Sequence, residues 1–290
     1  MQIPAGSVSI ERPCLYLVAT PIGHLADVGL RALAVLNDCD LVLAEDTRVT
    51  RRLLDHYAIA QRLQAVHEHN ERALATRLVE RIMREGLGVA LVSDAGTPLV
   101  SDPGYPLLRA ALDAGLTVRA VPGACAALAA LCVSGLPSDR FAFEGFLPHK
   151  EAAARSALAA LVAQPRTLVL YEAPRRVRRT LELIVELVEP AREICVAREL
   201  TKLHETIYRG TVVEVLARLQ ADAYGATGEF VLVIAPAPPR LSEDAQVEAL
   251  LHALAPHLPR SRAVEVAASV LARPRNEVYR LALAIDAFEA

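Results

Sequence analysis

The chain has 290 residues, a formal net charge of −3, a hydrophobic share of 53% and a mean hydropathy of +0.30. That is enough apolar material for one large or two ordinary domains plus an appendage, yet no apolar run approaches the roughly 20 residues a membrane span needs. Five scattered cysteines with no CxxC pair argue against a disulfide framework or a structural zinc site, and for reduced thiols in the cytoplasm.

Met1 to Pro13 has no apolar core of the signal-peptide kind, so residues 1–14 read as a leader. Leu15–Ala19 is predicted as a first strand that empties into Thr20-Pro21-Ile22-Gly23, followed by a helix over roughly 28–37. Leu41–Ala44 reads as a second buried strand. It runs directly into Glu45-Asp46-Thr47-Arg48, where Thr47 is placed to cap the next helix. A short extended piece at Ala65 leads through His67-Glu68-His69-Asn70 into a helix from about Glu71 to Arg84, with Leu74, Leu78 and Ile82 on its core face. Val89–Val92 is a strand that breaks into a polar loop up to Gly104. A helix resumes at about Pro103 with Asp102 as its N-cap, and Gly115 ends it. Val118–Val121 is a further strand, and Pro122-Gly123 opens a small-residue helix to about Ser134. This βα alternation implies a mostly parallel sheet, with the strand ends at Thr20, Glu45, His67, Asp94 and Pro122 on one edge.

The pattern then changes. Strands are expected at Phe141–Gly145, Thr167–Tyr171, 194–199, 205–210 and 228–234, with helices at 152–163 and 180–188, which is a mixed sheet with antiparallel pairs. Pro236-Ala237-Pro238-Pro239 reads as a stiff linker. Three short helices follow, at 247–254, 262–272 and 276–288. They fit a helix-turn-helix-like nucleic-acid reader or a packing cap. The fold class is therefore α/β, organised as 15–123, 124–236 and a helical appendage at 237–290.

The loop Ser93–Gly104 contains no Lys or Arg, which excludes a triphosphate cradle of the GxxxxGK[ST] type, and no GxGxxG follows the first strand. His67 and His69 have no third ligand at a recognisable spacing, so no metal site is expected. The net charge is unpromising for nucleic acid, but Arg residues bunch at 48–52, 175–179 and 260–280, and local patches set phosphate affinity. What stands out is a row of polar strand ends suited to a small polar or cationic ligand and to proton transfer from a hydroxyl.

Several of these stretches resemble one known family. LYLVATPIG at Leu15–Gly23, EDTR at Glu45–Arg48, HEHNE at His67–Glu71 and VSDAGTPLVSDPG at Val92–Gly104 carry the likeness in the first half. VPG at Val121–Gly123, GLPSDRFAFEGF at Gly135–Phe146, LVLYEAP at Leu168–Pro174 and ARELTKLHET at Ala197–Thr206 continue it in order to about residue 236. Together they are similar to the tetrapyrrole methylase superfamily, and within it to bacterial enzymes that methylate a cytidine 2′-hydroxyl in the decoding centre of 16S ribosomal RNA. The final helices resemble that subfamily's C-terminal extension.

The resemblance implies two α/β domains with S-adenosylmethionine in the cleft between them, a homodimer, and the small ribosomal subunit or its RNA as partner. Carried over by position, it implies cofactor contacts at Pro21, Gly23, Asp94, Gly96, Thr97, Pro122, Gly123, Cys125, Ala126, Tyr171, Glu172, Ala197 and Glu229. The family's Gly-Asp-Pro triplet is replaced here by Ser93-Asp94-Ala95-Gly96-Thr97-Pro98, and its Tyr-Met pair by Tyr171-Glu172. A ribose hydroxyl is a poor nucleophile, so a proton acceptor is expected among Glu45, Asp46, His67 and Glu68, with Arg48 and Lys202 holding phosphate or ribose. Two alternatives stay open: a methyltransferase acting on a tetrapyrrole precursor, and a non-catalytic RNA-binding assembly factor.

Overall fold

The computed structural model describes residues 9–67, 69–238, 243–285 and 288. The chain divides into two compact units after Pro236.

The first unit contains two five-stranded sheets. In the first, β1 (Cys14–Val18), β2 (Leu41–Ala44), β3 (Leu63–Ala65), β4 (Gly88–Val92) and β5 (Thr117–Val121) lie in the order β3-β2-β4-β1-β5. Every pair is parallel. β2 and β4 are buried along their whole length, as strands covered on both faces must be. The pleat sorts β1 between two cores. Cys14, Tyr16 and Val18 pack with α1 (Leu30–Asp38) and with Leu54 of α2 (Thr47–His56). Leu15 faces the opposite way, onto Leu78 and Ile82 of α3 (Glu71–Glu85) and Leu107 of α4 (Tyr105–Asp113). Glu71 is buried and accepts a hydrogen bond from the Leu107 amide at 3.2 Å, so a carboxylate in the first turn of α3 satisfies an orphan donor of α4.

The second sheet comprises β6 (Phe141–Phe146), β7 (Thr167–Glu172), β8 (Glu193–Arg198), β9 (Thr206–Thr211) and β10 (Phe230–Ile234), in the order β6-β7-β10-β8-β9. β6 and β7 are parallel and the remaining pairs antiparallel. One face is covered by α6 (Glu151–Val162), α7 (Val177–Leu187) and α8 (Val212–Ala221). The other receives α5 (Ala126–Ser134), with Ile22 and Leu200. α5 therefore follows the last strand of the first sheet and packs on the second.

Three local expectations are corrected. α4 is capped by Gly104, with Pro106 in its first turn, so Asp102 is not the cap. Gly104 sits at φ +131° with the Leu91 and Leu99 side chains against its α-carbon, a position no larger residue fits, and the helix starts there. α2 is capped by Asp46, whose Oδ1 accepts from the Arg48 amide at 2.8 Å, because Asp46 and not Thr47 holds the extended backbone an N-cap needs. α5 opens at Ala126, since Pro122 to Cys125 run on as irregular chain.

α8 is not among the helices expected from the sequence. Its signature is nevertheless present: Thr211 and Glu214 form a reciprocal capping box ahead of an apolar stretch.

The second unit holds α9 (Glu243–Leu254), α10 (Arg260–Val270) and α11 (Arg275–Ala282) around Val247, Leu251, Val264, Ala267 and Val278. Residues 271–274 turn α10 into α11, with Ala272 at φ +49°. Pro239 of the expected linker and the end of the expected last helix at 286–287 lie outside the described residues. Among the described residues no helix is long and apolar enough to cross a membrane.

Candidate active site

Because the first sheet is all parallel, the carboxyl ends of its strands share an edge, where doubly wound sheets receive ligands. Thr20 and Gly96 close the middle of that edge: the Thr20 amide donates to the Gly96 carbonyl at 2.8 Å and the Gly96 amide to the Thr20 carbonyl at 3.1 Å. Gly96 stands at φ +81°, with Ile22 Cγ2 3.3 Å from where a Cβ would lie. Thr97 donates its hydroxyl to the Ala124 carbonyl at 3.0 Å, tying the loop to the segment before α5.

Between this edge and the second sheet lies a cavity of about 370 Å³, within the range typical of small-molecule sites. Ala95, Gly96, Thr97, Val100, Ser101 and Asp102 form one wall, and Tyr171, Ala197, Glu229 and Phe230 belong to the other. Ile22, Ala126, Phe146 and Leu200 also line it. The Tyr171 ring is wedged edge-on against Phe143 and Phe146, with centroids 4.9 and 5.6 Å away, and its hydroxyl accepts from the Ala127 amide at 3.3 Å.

Of the cofactor residues expected from the sequence, Gly96, Thr97, Ala126, Tyr171, Glu172, Ala197 and Glu229 border the cavity. Pro21, Gly23, Asp94, Pro122, Gly123 and Cys125 stand on the surrounding turns. Gly23 is pressed by the loop after β8, where an added Cβ would lie 2.6 Å from Lys202 Cγ and 3.0 Å from the Leu200 carbonyl. Gly123 is pressed against Ala19 in the same way, at 2.9 Å.

Glu172 is buried. Its carboxylate accepts from the Ala173 amide at 2.8 Å and the Thr180 hydroxyl at 2.6 Å and pairs with Arg176 at 3.4 Å, so it anchors the start of α7. Lys202 is held by Glu199 and Glu229, each at 2.9 Å.

The expected acid–base residues form a second group beside the cavity. Asp94 Oδ1 accepts from the Asp46 amide at 2.9 Å, and the Asp94 amide faces Glu45 Oε2 at 3.4 Å. Burial, then the neighbouring Asp94, pushes the Glu45 carboxyl above its ordinary range; burial does the same to Asp94. Asp46 is the opposite case: the Arg48 side chain and amide hold it down to about 2. Arg48 is exposed and bound to Asp46, Nε to Oδ1 at 3.0 Å. The His67 amide is fixed by Asn70 Oδ1 at 2.9 Å, while its Nδ1 is buried with no hydrogen-bond partner among the described residues. Glu68 lies outside the described residues.

Sequence reasoning counts Asp102, which the structure places in the cavity wall, among the polar strand ends but leaves it out of the site residues, because it assigns the side chain to a helix cap. It also misses Phe146 and Leu200, single apolar residues at strand ends whose pattern is indistinguishable from ordinary core. The five cysteines are free.

Residues 14–216 match the family model for tetrapyrrole (corrin/porphyrin) methylases. The chain belongs to that family. Within the tetrapyrrole methylases, it is 47% identical over 271 residues to Ribosomal RNA small subunit methyltransferase I of Escherichia coli O157:H7, covering 93% of this chain and 94% of that protein. Its counterpart in Mesorhizobium japonicum is 45% identical over 283 residues, covering 96% and 93%. Residues 242–286 match the RsmI C-terminal HTH domain.

Among solved tetrapyrrole methylases, the uroporphyrin-III-C-methyltransferase of Thermus thermophilus aligns with TM-score 0.55 at 25% identity, over 77% of this chain and 94% of that one. A complex of the Thermus thermophilus Uroporphyrin-III C-methyl transferase with S-adenosyl homocysteine aligns at 0.53 and 21% identity, over 76% and 96%. The α/β architecture with a parallel first sheet and a mixed second sheet is the tetrapyrrole methylase fold.

Proposed function

We propose that the protein transfers a methyl group from S-adenosylmethionine to the 2′-hydroxyl of a cytidine in the decoding centre of 16S ribosomal RNA. The observation that carries this reading is the near full-length identity, 47% at best among the relatives named, to proteins called Ribosomal RNA small subunit methyltransferase I.

The cavity suits the methyl donor. Its wall includes small residues and the glycine backbone at Gly96, where a Cβ would crowd the wall, together with apolar side chains and the carboxylate residues Asp102, Glu172 and Glu229, and no Lys or Arg lines it among the described residues. Those features match a sulfonium cation with polar ends. Gly96, Thr97, Ala126, Tyr171, Ala197 and Glu229 would hold the cofactor directly. Pro21, Gly23, Asp94, Pro122, Gly123 and Cys125 would shape the turns around it, and Glu172 would brace the wall from behind. Bound there, S-adenosylmethionine supplies an activated methyl group. The chain's part is to position the acceptor, exclude water and take up a proton.

Glu45, Asp46 and His67 form the edge that receives the ribose, with Arg48 and Lys202 toward its phosphates; Glu68, outside the described residues, is a further acid–base candidate from the sequence. The α/β halves at 15–123 and 124–236 supply the two walls, and the helical appendage contacts the ribosomal RNA. The protein is expected to work as a cytoplasmic homodimer.

The test is transfer of labelled methyl to small ribosomal subunits that lack native modifications, followed by alkaline digestion. Label in an alkali-resistant dinucleotide beginning with cytidine supports the proposal. Label only on a tetrapyrrole precursor, or no cofactor binding at all, rejects it.

A further inference from the structure

Methylating a hydroxyl releases a proton, and the cavity offers three residues with carboxylates to receive it: Asp102, Glu172 and Glu229. Two are already engaged. The Glu172 carboxylate is spent on the Ala173 amide, the Thr180 hydroxyl and Arg176, with its side chain 1% exposed. The Glu229 carboxylate is paired with Lys202 at 2.9 Å, which it shares with Glu199. Among the described residues no cation acts on Asp102, and the nearby Ser93 hydroxyl donates to the Ala95 carbonyl at 3.3 Å. It is not a helix cap either, since Gly104 starts α4.

The backbone is bent out of shape to put it there. Leu99 and Ser101 both hold positive φ, +76° and +65°, in a loop that ends at Gly104 with φ +131°. Strain of this kind, of order 1–3 kcal/mol per residue, persists where the surrounding structure demands it and collects at active sites. The second half of the unit presses on the bend: a Cβ on Gly145 would lie 2.9 Å from Ser101 Oγ.

From these placements we infer that Asp102 accepts the proton of the acceptor hydroxyl. The inference rests on the function proposed above. Asp102 takes the proton as the electron pair of the O–H bond becomes the new O–C bond. The C–S bond of the methyl donor breaks with its pair left on sulfur, and Asp102 then returns the proton to water. The titratable groups facing Asp102 are Glu45 from the end of β2, Asp94 after β4 and Tyr171 on β7. Burial first, and then the charges of Glu45 and Asp94, raise its carboxyl to about 6. A base so tuned is ionised near neutrality and still binds a proton firmly.

The experiment uses the full-length protein and the Asp102→Asn and Asp102→Glu variants. Three quantities are read: S-adenosylmethionine affinity by calorimetry, the pH dependence of single-turnover methylation of small subunits, and carboxyl titration by ¹³C NMR on labelled aspartate. The expected result is affinity within threefold for Asp102→Asn with turnover lower by about 100-fold or more. The unaltered protein's rate climbs to a plateau above about pH 6, and one aspartate signal titrating there vanishes in Asp102→Asn. Partial activity in Asp102→Glu is expected. Turnover within threefold of the unaltered protein in Asp102→Asn would overturn the inference alone. So would a loss of turnover matched by an equal loss of cofactor affinity, which makes Asp102 a cofactor ligand. If the unaltered protein methylates no ribosomal RNA, the function itself fails and takes the inference with it.

Discussion

Asp94 and Asp46 are joined through one hydrogen bond: the Asp46 amide donates to Asp94 Oδ1 at 2.9 Å. The bond ties the end of β4 to the N-cap of α2 and fixes the spacing between the cavity wall and the Glu45–Arg48 edge. Asp94→Ala removes the acceptor and frees both loops. The expected outcome is a loss of about 1 kcal/mol of stability, since the bond is charge-assisted but partly exposed. S-adenosylmethionine affinity should fall about tenfold. Asp94→Asn, which keeps a carbonyl oxygen for the same amide, should retain most of both. Equal affinity in Asp94→Ala by calorimetry would remove Asp94 from the cofactor site.

The half-buried carboxyl of Asp102 also predicts a dependence of stability on pH. Its ordinary value of 3.8 is raised to about 6 in the folded chain, so the folded state binds the proton more tightly than the unfolded one. The contribution of this group is therefore fully present below about pH 4 and is lost as pH rises through about 6. Asp102→Asn should be more stable than the unaltered protein at pH 7.5, by about 1–3 kcal/mol, and the gap should close near pH 4. Thermal melts at the two pH values decide it. A destabilised Asp102→Asn at pH 7.5 contradicts the assigned environment.

Gly23 is a point where the two halves of the first unit meet closely. The His24 amide donates to Thr201 Oγ1 at 3.1 Å, and the Leu200 carbonyl lies 3.0 Å from the Cβ position of Gly23. Lys202 could swing aside for a methyl group, but the carbonyl belongs to the backbone and cannot. Gly23→Ala should therefore cost about 1–3 kcal/mol and weaken cofactor binding, measured by denaturant melts and calorimetry. An unchanged melt would mean that the loop after β8 yields freely.

Arg275 and Arg280 on α11 are exposed, in the unit whose relatives carry a helix-turn-helix domain. Changing both to Ala should weaken binding to small-subunit RNA and lower the slope of log affinity against log salt by roughly 1–2, as expected for two lost phosphate contacts. Cofactor affinity should not move. An unchanged salt slope would leave α9 to α11 as a packing appendage.

Much of this molecule is legible in its amino-acid sequence. Buried runs such as Leu41–Ala44 and Val89–Val92 must be strands covered on both sides, and βα alternation with short connections forces them to be parallel with their polar ends on one edge. The long motifs from Leu15 to Thr206 carry the family, because several unrelated stretches rarely agree in order by accident. Helix starts are less legible. Asp46, Thr47, Asp102 and Gly104 all look like cap residues in sequence, and only backbone dihedrals choose among them.

The tertiary structure alone decided which polar residues are free to act. By composition, Asp102, Glu172 and Glu229 are equivalent carboxylates near strand ends. In the fold, Glu172 is consumed by the start of α7 and Glu229 pairs with Lys202, while Asp102 is left in the cavity wall with no cation acting on it among the described residues. A residue's chemistry depends on its desolvation and its partners. Partners such as Thr180 and Lys202 are supplied by chain segments that one-dimensional spacing cannot bring together.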